Sequence, residues 1–285
     1  MGIILAILAA VTWAIGDFSI ERISRRIGSL KALFYISLLA SIGYLPFVWR
    51  DIPTIGGKNI LALLLLSGAV FLFASIFDFL ALKTGKISVV EPICAFEVPI
   101  TALAAYLFIG ERINAHQSLL IALMVLGIFL VSVTHFSHLK RIHAEKGAWL
   151  ALVATVAMGL ANYLFAEAGR VTTPFVINWF AAVFILFFLV AYFLYKGELH
   201  SMITLEDANK PFLAVMAVAD NLSWVFYTFA ALTIPISIAI GVSESYIVLA
   251  SLLGFFFNKE RLRGHQIFGM VLCITAVIFL SLSLK

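Results

Sequence analysis

Long apolar stretches alternate with short polar breaks along this chain. A helix that crosses a bilayer needs about 20 predominantly apolar residues, and ten stretches meet that test, at approximately 3–21, 31–49, 60–82, 88–109, 117–135, 147–167, 175–195, 211–232, 237–257 and 264–284. The links carry residues suited to helix ends at a membrane surface: Arg25-Arg26-Ile27-Gly28, Asp51-Ile52-Pro53-Thr54 with Gly56-Gly57, Lys83-Thr84-Gly85-Lys86 and Gly197-Glu198. Pro174, Pro211 and Pro235 stand near helix starts, where proline is well tolerated. The longest links, His135 to Lys146 and Lys196 to Lys210, leave no room for an independent soluble domain. The first stretch begins at Gly2 with no basic n-region and no fitting small-residue cleavage site, so it reads as a retained first helix. Without a targeting extension, a prokaryotic plasma membrane is the expected location of this multi-pass protein.

Composition agrees with the pattern. Apolar residues make up 63% of the chain and charged residues 12%, against about 45–50% and about 25% in ordinary soluble domains. The net charge of +4 is spread over short clusters without a sustained basic stripe, so it bears on membrane orientation and not on nucleic acid. Cys94 and Cys273 each lie inside an apolar run, where a thiol behaves as a small hydrophobe, and no disulfide is expected.

The chain also resembles itself. A shift of 149 residues lays Glu111-Arg112-Ile113-Asn114-Ala115-His116-Gln117 onto Glu260-Arg261-Leu262-Arg263-Gly264-His265-Gln266. A shift of 145 residues near the start of each half places Gly2, Leu5, Ala6, Ala14, Asp17 and Phe18 opposite Gly147, Leu150, Ala151, Gly159, Asn162 and Tyr163. We therefore expect an all-α integral membrane protein of ten helices: a five-helix repeat at 1–136, a linker at 137–146 and a second five-helix repeat at 147–285. Five is odd, so the second copy enters the membrane from the opposite side, as in the inverted repeats of many secondary transporters.

Charge bias tests that expectation, because Lys and Arg collect on the cytoplasmic side. In the first half Arg22, Arg25, Arg26, Lys31, Lys83 and Lys86 follow segments one and three, against Arg50, Lys58 and Arg112 after two and four. In the second half the bias reverses, with only Arg170 after segments six and eight and Lys196, Lys210, Lys259, Arg261 and Arg263 after seven and nine. Taken with Lys140, Arg141 and Lys146, the rule places both termini outside.

Several motifs carry a family likeness: Trp13-Ala14-Ile15-Gly16; Phe79-Leu80-Ala81-Leu82-Lys83 running into Ser88-Val89-Val90-Glu91-Pro92; Pro99; and Gly110-Glu111-Arg112. The second half echoes them in Tyr227 to Leu232, Pro235-Ile236-Ser237 and Lys259-Glu260-Arg261-Leu262. In these the chain resembles the drug/metabolite transporter superfamily, in its ten-helix EamA-type branch, over essentially its whole length. It departs from the pattern at Lys259, where the family usually has Gly, and at Val248, which stands opposite Pro99. The resemblance implies a central cavity lined by both repeats, export or exchange of a metabolite, and both termini in the cytoplasm, the last against the charge count.

Candidate chemistry lies inside the apolar stretches. A carboxylate at mid-bilayer costs roughly 2.5–3.5 kcal/mol on insertion scales, so such groups face the bundle interior. Glu97, Asp220 and Glu244 fall near segment centres, and together they would cost on the order of 8–10 kcal/mol turned to lipid. A shared polar cavity is the cheaper arrangement. Glu97 and Glu244 lie on equivalent segments but at neighbouring positions, Glu97 aligning with Tyr246 and Glu244 with Ala95. A carboxyl group held in such a cavity can take up and release a proton, as a proton-coupled antiporter requires.

Asp220, Trp224 and Tyr227 share one helix face, with Asn221 beside them. A carboxylate next to aromatic faces suits an organic cation or the amine of an amino acid; an aromatic packing stripe with one satisfied Asp is the bland alternative. Asp17 and Asn162 match in segments one and six, beside Phe18 and Tyr163; cavity lining and interhelical hydrogen bonding both suit them. With Trp13 these complete the residues expected to line a solute site. Pro92 and Pro99 favour a kink in segment four, with the freed backbone beside protein or water. Asp78 and Glu91 lie near helix ends, where snorkelling explains them, and Glu111-Arg112 is expected to set helix ends. The small residues Ala6, Ala10 and Ala14, with Ala151, Thr155 and Gly159, suit close packing.

His135, His138 and His143 are irregularly spaced among positive charges and do not read as a metal site. No phosphate-binding loop, Walker-type Lys or nucleophile–base pair is found, so neither an ATP-driven pump nor any cofactor is expected. The expected activity is secondary active transport of a small polar solute such as an amino acid, an amine or a cationic drug, by alternating access and with protons as candidate partners. Lipid is the other partner. A passive channel, a non-transporting scaffold and a multispan enzyme are the alternatives. The sequence leaves oligomeric state and substrate identity open.

Overall fold

A computed structural model describes residues 1–84, 87–133, 146–203, 210–258 and 262–283, and the regular elements in them are all helical. The principal helices are α1 (Gly2–Ile27), α2 (Ser29–Gly43), α3 (Lys58–Thr84), α4 (Ile87–Cys94), α5 (Glu97–Ile109), α6 (Ala115–Ser132), α7 (Lys146–Val171), α8 (Pro174–Lys196), α9 (Lys210–Thr233), α10 (Ile236–Glu244), α11 (Tyr246–Asn258) and α12 (Gly264–Leu282). Among the described residues, nine stretches are long and apolar enough to cross a membrane, and α2 is a shorter apolar helix. The chain is a multi-pass integral membrane protein. Large apolar side chains such as Phe187 and Phe268, 67% and 61% exposed, cover its outside, where only lipid makes them acceptable.

Helix limits depart from the apolar stretches where backbone chemistry intervenes. The first helix continues through the basic cluster to Ile27, so Arg22, Arg25 and Arg26 belong to a helix end and not to a loop. The second stops at Gly43, because Pro46 opens a separate turn, Leu45–Val48; a proline cannot donate into the preceding helix. Segments four and nine are each two helices, α4 with α5 and α10 with α11. The second member starts at Glu97 in one and Tyr246 in the other, 149 residues apart, the same offset that separates the starts of α6 and α12.

Some ends are written locally. Gly110 closes α5 at φ 66°, a left-handed conformation that costs glycine nothing. Asn114 caps α6, its side chain accepting from the Gln117 amide at 2.8 Å while Gln117 Oε1 accepts from the Asn114 amide at 3.1 Å. In the second copy Arg263 has no oxygen to accept with, so only the Gln266 half remains, accepting from the Arg263 amide at 3.0 Å.

The helices pair across the halves. α1 lies along α9 and α3 along α7, so the first helix of each half packs on the third of the other; α2 packs on α8 and α6 on α12. Small residues make the approaches close. A Cβ at Gly16 would stand 3.3 Å from the Asp220 amide nitrogen, one at Gly127 2.7 Å from the Gly269 carbonyl, and one at Gly159 2.6 Å from Ile100 Cγ2. Ala6, Ala10, Ala14, Ala151 and Thr155 are likewise buried, as close packing requires. Both cysteines are free thiols. The His135, His138 and His143 positions, the 137–145 part of the linker and Lys259-Glu260-Arg261 lie outside the described residues.

Candidate functional site

The two broken segments bring their ends to one place. Glu97 is the first residue of α5 and Glu244 the last of α10, and α5 and α10 pack together. Position along a helix matters electrostatically. The N-terminal end of α5 favours negative charge, whereas the carbonyl end of α10 already concentrates it and attracts a cation.

Around these ends stands an aromatic wall. Trp13 of α1 lies 5.3 Å from Trp224, 6.0 Å from Tyr227 and 6.1 Å from Tyr246, ring centre to ring centre. Phe71 of α3 and Phe165 of α7 extend it, each 4.8 Å from Trp224. Tyr227 is fully buried and its hydroxyl donates to the Asn162 carbonyl at 2.9 Å. Asn162, 1% exposed, points its amide at Glu97, Nδ2 to Oε2 3.5 Å. A polar chain thus links α9, α7 and α5. Glu244, 7% exposed, lies close enough to Tyr227 for its charge to act on that phenol. Thr101 holds α5 to α7, its hydroxyl donating to the Glu97 and Gly159 carbonyls at 2.9 Å each.

Of the residues expected to line a solute site, Trp13, Glu97, Asn162, Trp224, Tyr227, Glu244 and Tyr246 are therefore neighbours. The others are placed elsewhere. Asn221 donates to the Ile36 carbonyl at 3.1 Å and to Ala217 at 2.7 Å, and so ties α9 to α2. Tyr163 stacks on Phe108 at 5.5 Å, farther out along α5. Asp17 and Asp220 form a second acidic group near the Gly16 crossing, in which Asp17 interacts electrostatically with both Asp220 and Asp78. α1, α3 and α9 each supply one of these carboxylates.

Phe71 and Phe165, beside Trp224, and Asp78, in the second acidic group, are the residues that sequence reasoning missed. Asp78 reads as a helix-end charge, yet it sits seven residues from Phe71, on the same face of α3. That echoes the run of Asp220, Trp224 and Tyr227 on α9 and was the available signal. Phe165 lies three residues past Asn162, again on one face.

Glu111 caps not its own helix but α10: its carboxylate accepts from the Ile236 amide at 2.7 Å, the Ser237 amide at 2.9 Å and the Ser237 hydroxyl at 2.7 Å. Arg170 stands 3.9 Å from both Glu111 and Glu167 and donates twice to the Ala231 carbonyl, at 3.0 and 2.8 Å. Shifting by 149 residues relates Glu111 to Glu260 and Ile236-Ser237 to Ile87-Ser88.

Known proteins resemble this chain. The profile of the EamA-like transporter family matches residues 1–133 and again 145–282. A protein of Archaeoglobus fulgidus described as an "uncharacterized transporter" is 22% identical over 282 residues, 98% of each chain. A Methanocaldococcus jannaschii protein with no described activity is 27% identical over 135 residues, which span 97% of its length but 47% of this chain. A crystal structure superimposes with a TM-score of 0.76 at 12% identity, covering 99% of this chain and 96% of its own, and bears on the fold alone.

Proposed function

The chain belongs to the EamA-like transporter family, and on that premise we propose that it is a secondary active transporter that exports or exchanges a small amine or amino acid by alternating access. Residues 1–136 and 147–285 act as oppositely threaded repeats in a prokaryotic plasma membrane, and their rocking opens the site to one side and then the other. The observation that carries this reading is the meeting of the two broken segments, which sets Glu97 and Glu244 beside one aromatic wall.

The ammonium of the solute sits against Trp13 and Tyr246 and pairs with Glu244, where ring faces and helix-end carbonyls both attract a cation. Glu97 carries the exchanging proton, and the Asn162 amide steadies its carboxylate. A solute carboxylate turns to the N-terminal end of α11, where the helix dipole favours negative charge. The Glu111 clasp on α10 closes one mouth of the pathway. Its release accompanies the opening of that mouth.

Purified protein in sealed vesicles tests the reading. An imposed pH gradient is expected to drive accumulation of a labelled amine or amino acid, and Glu97→Gln to abolish that drive while expression and insertion persist. Flux by Glu97→Gln that still follows the pH gradient removes Glu97 from the mechanism. Downhill leakage without accumulation makes the protein a channel, and solute conversion an enzyme.

A further inference from the structure

α5 and α6 are consecutive, joined only by Gly110 to Asn114, yet they scarcely touch. Both lean on α10 instead, and the space between them is an open-sided cleft of about 780 Å3 that includes Leu103 and Tyr106 on one wall, Ala122 and Val125 on the other and Ser237 of α10. Leu103 and Tyr106 are 55% and 58% exposed. This cleft is not the solute site: Glu97 and Thr101 leave α5 on the side of α7, whereas the cleft faces outward. In a chain that spans a bilayer, hydrocarbon fills it.

Its length and its ends narrow the occupant. The cleft runs along α5, from Phe96 at the helix break to Arg112 beyond the helix end. The 13 residues of α5 cover about 20 Å at about 1.5 Å each, and one leaflet of hydrocarbon is about 15 Å deep. Arg112 is exposed and, among the described residues, makes no hydrogen bond or ion pair. The carboxylate beside it, Glu111, is taken by the α10 amides and Arg170. A planar guanidinium at the aqueous end of an apolar groove one leaflet deep is complementary to a phosphate at the head of a hydrocarbon chain.

We propose that the cleft between α5 and α6 seats one membrane phospholipid, its acyl chain along the groove and its phosphate on Arg112. Native mass spectrometry of delipidated protein titrated with phosphatidylglycerol tests this. One lipid is expected to bind more tightly than the rest, and Arg112→Gln and Ala122→Trp are each expected to lower its occupancy at least fivefold. Ala122 is exposed, so the bulky side chain fills the groove without entering the core. Lys58→Gln, at a basic residue that does not line the cleft, is expected to change nothing. Undiminished occupancy in both cleft variants overturns the proposal. So does equal retention of diacylglycerol, which has no phosphate, or an equal rise in melting temperature with inorganic phosphate alone, which has no chain. A lipid-free dimer that forms through this face also overturns it.

Discussion

Segments four and nine break at equivalent places for different local reasons. In the first half Pro92 lies inside α4 and Pro99 in the first turn of α5, and each removes an amide from the ladder. In the second half Val248 replaces Pro99, and the chain turns at Ser245 instead. There the Ser245 amide and hydroxyl both donate to the Val242 carbonyl, at 3.2 and 2.6 Å, and the Val248 amide donates to Ser245 at 3.0 Å. The carboxylates also differ, since Glu97 follows its break and Glu244 precedes its own. The break is therefore common to both segments while proline is not, which ties it to the packed site more than to any one residue.

Substitutions can break or sharpen this contrast. The largest effect is expected at Glu97, where Gln should lower pH-driven flux on the order of a hundredfold, about 2.7 kcal/mol of lost coupling, with the melting temperature in detergent nearly unchanged. Next, Glu244→Gln should weaken apparent solute affinity about tenfold or more, the worth of one hydrogen bond to a charged group, while leaving maximal flux closer to wild type. Should the two variants behave alike in flux and affinity, the division of labour between the breaks is wrong.

A smaller, structural effect is expected from Gly159→Ala. Its Cβ would meet Ile100 at 2.6 Å and the Glu97 carbonyl at 3.1 Å, so overpacking should cost roughly 1–3 kcal/mol. Thermal unfolding in detergent measures it, and an unchanged midpoint would mean that α5 and α7 are not this close. Val248→Pro removes the amide bond to Ser245, worth about 0.5–1.5 kcal/mol, and a buried valine side chain, worth about 1–2 kcal/mol more. The smallest effect belongs to Pro99 itself. Pro99→Ala, at an exposed position, should shift stability by about 0.5 kcal/mol or less. Larger losses in either would return the cause of the break to proline.

The fold class was open to reading because oil content and segment length are properties of the chain. Helix ends are set by sequence neighbours where a cap is local, as at Gly110 and Asn114, and by distant residues elsewhere. Glu111 looked like the end of its own helix and instead caps α10, more than a hundred residues on. The same limit applies to Asn221, which reads as part of the Asp220 constellation but spends its amide on the α2 backbone. Asp78 reads as a helix-end charge, and only the folded chain brings it within electrostatic reach of Asp17.

What the chain determines alone is the set of apolar helices, the internal likeness of its two halves and the presence of carboxylates too costly to face lipid. Each follows from free energies of transfer, which depend on composition and spacing and hardly at all on neighbours. Tertiary structure decides which carboxylates share a pocket, which aromatic rings wall it and where a helix stops short, because hydrogen bonds and ring contacts act over a few ångströms between residues far apart in sequence. Glu97, Asn162 and Tyr227 show the boundary. Their helices could be read one at a time, but the polar chain joining them exists only once α5, α7 and α9 are packed.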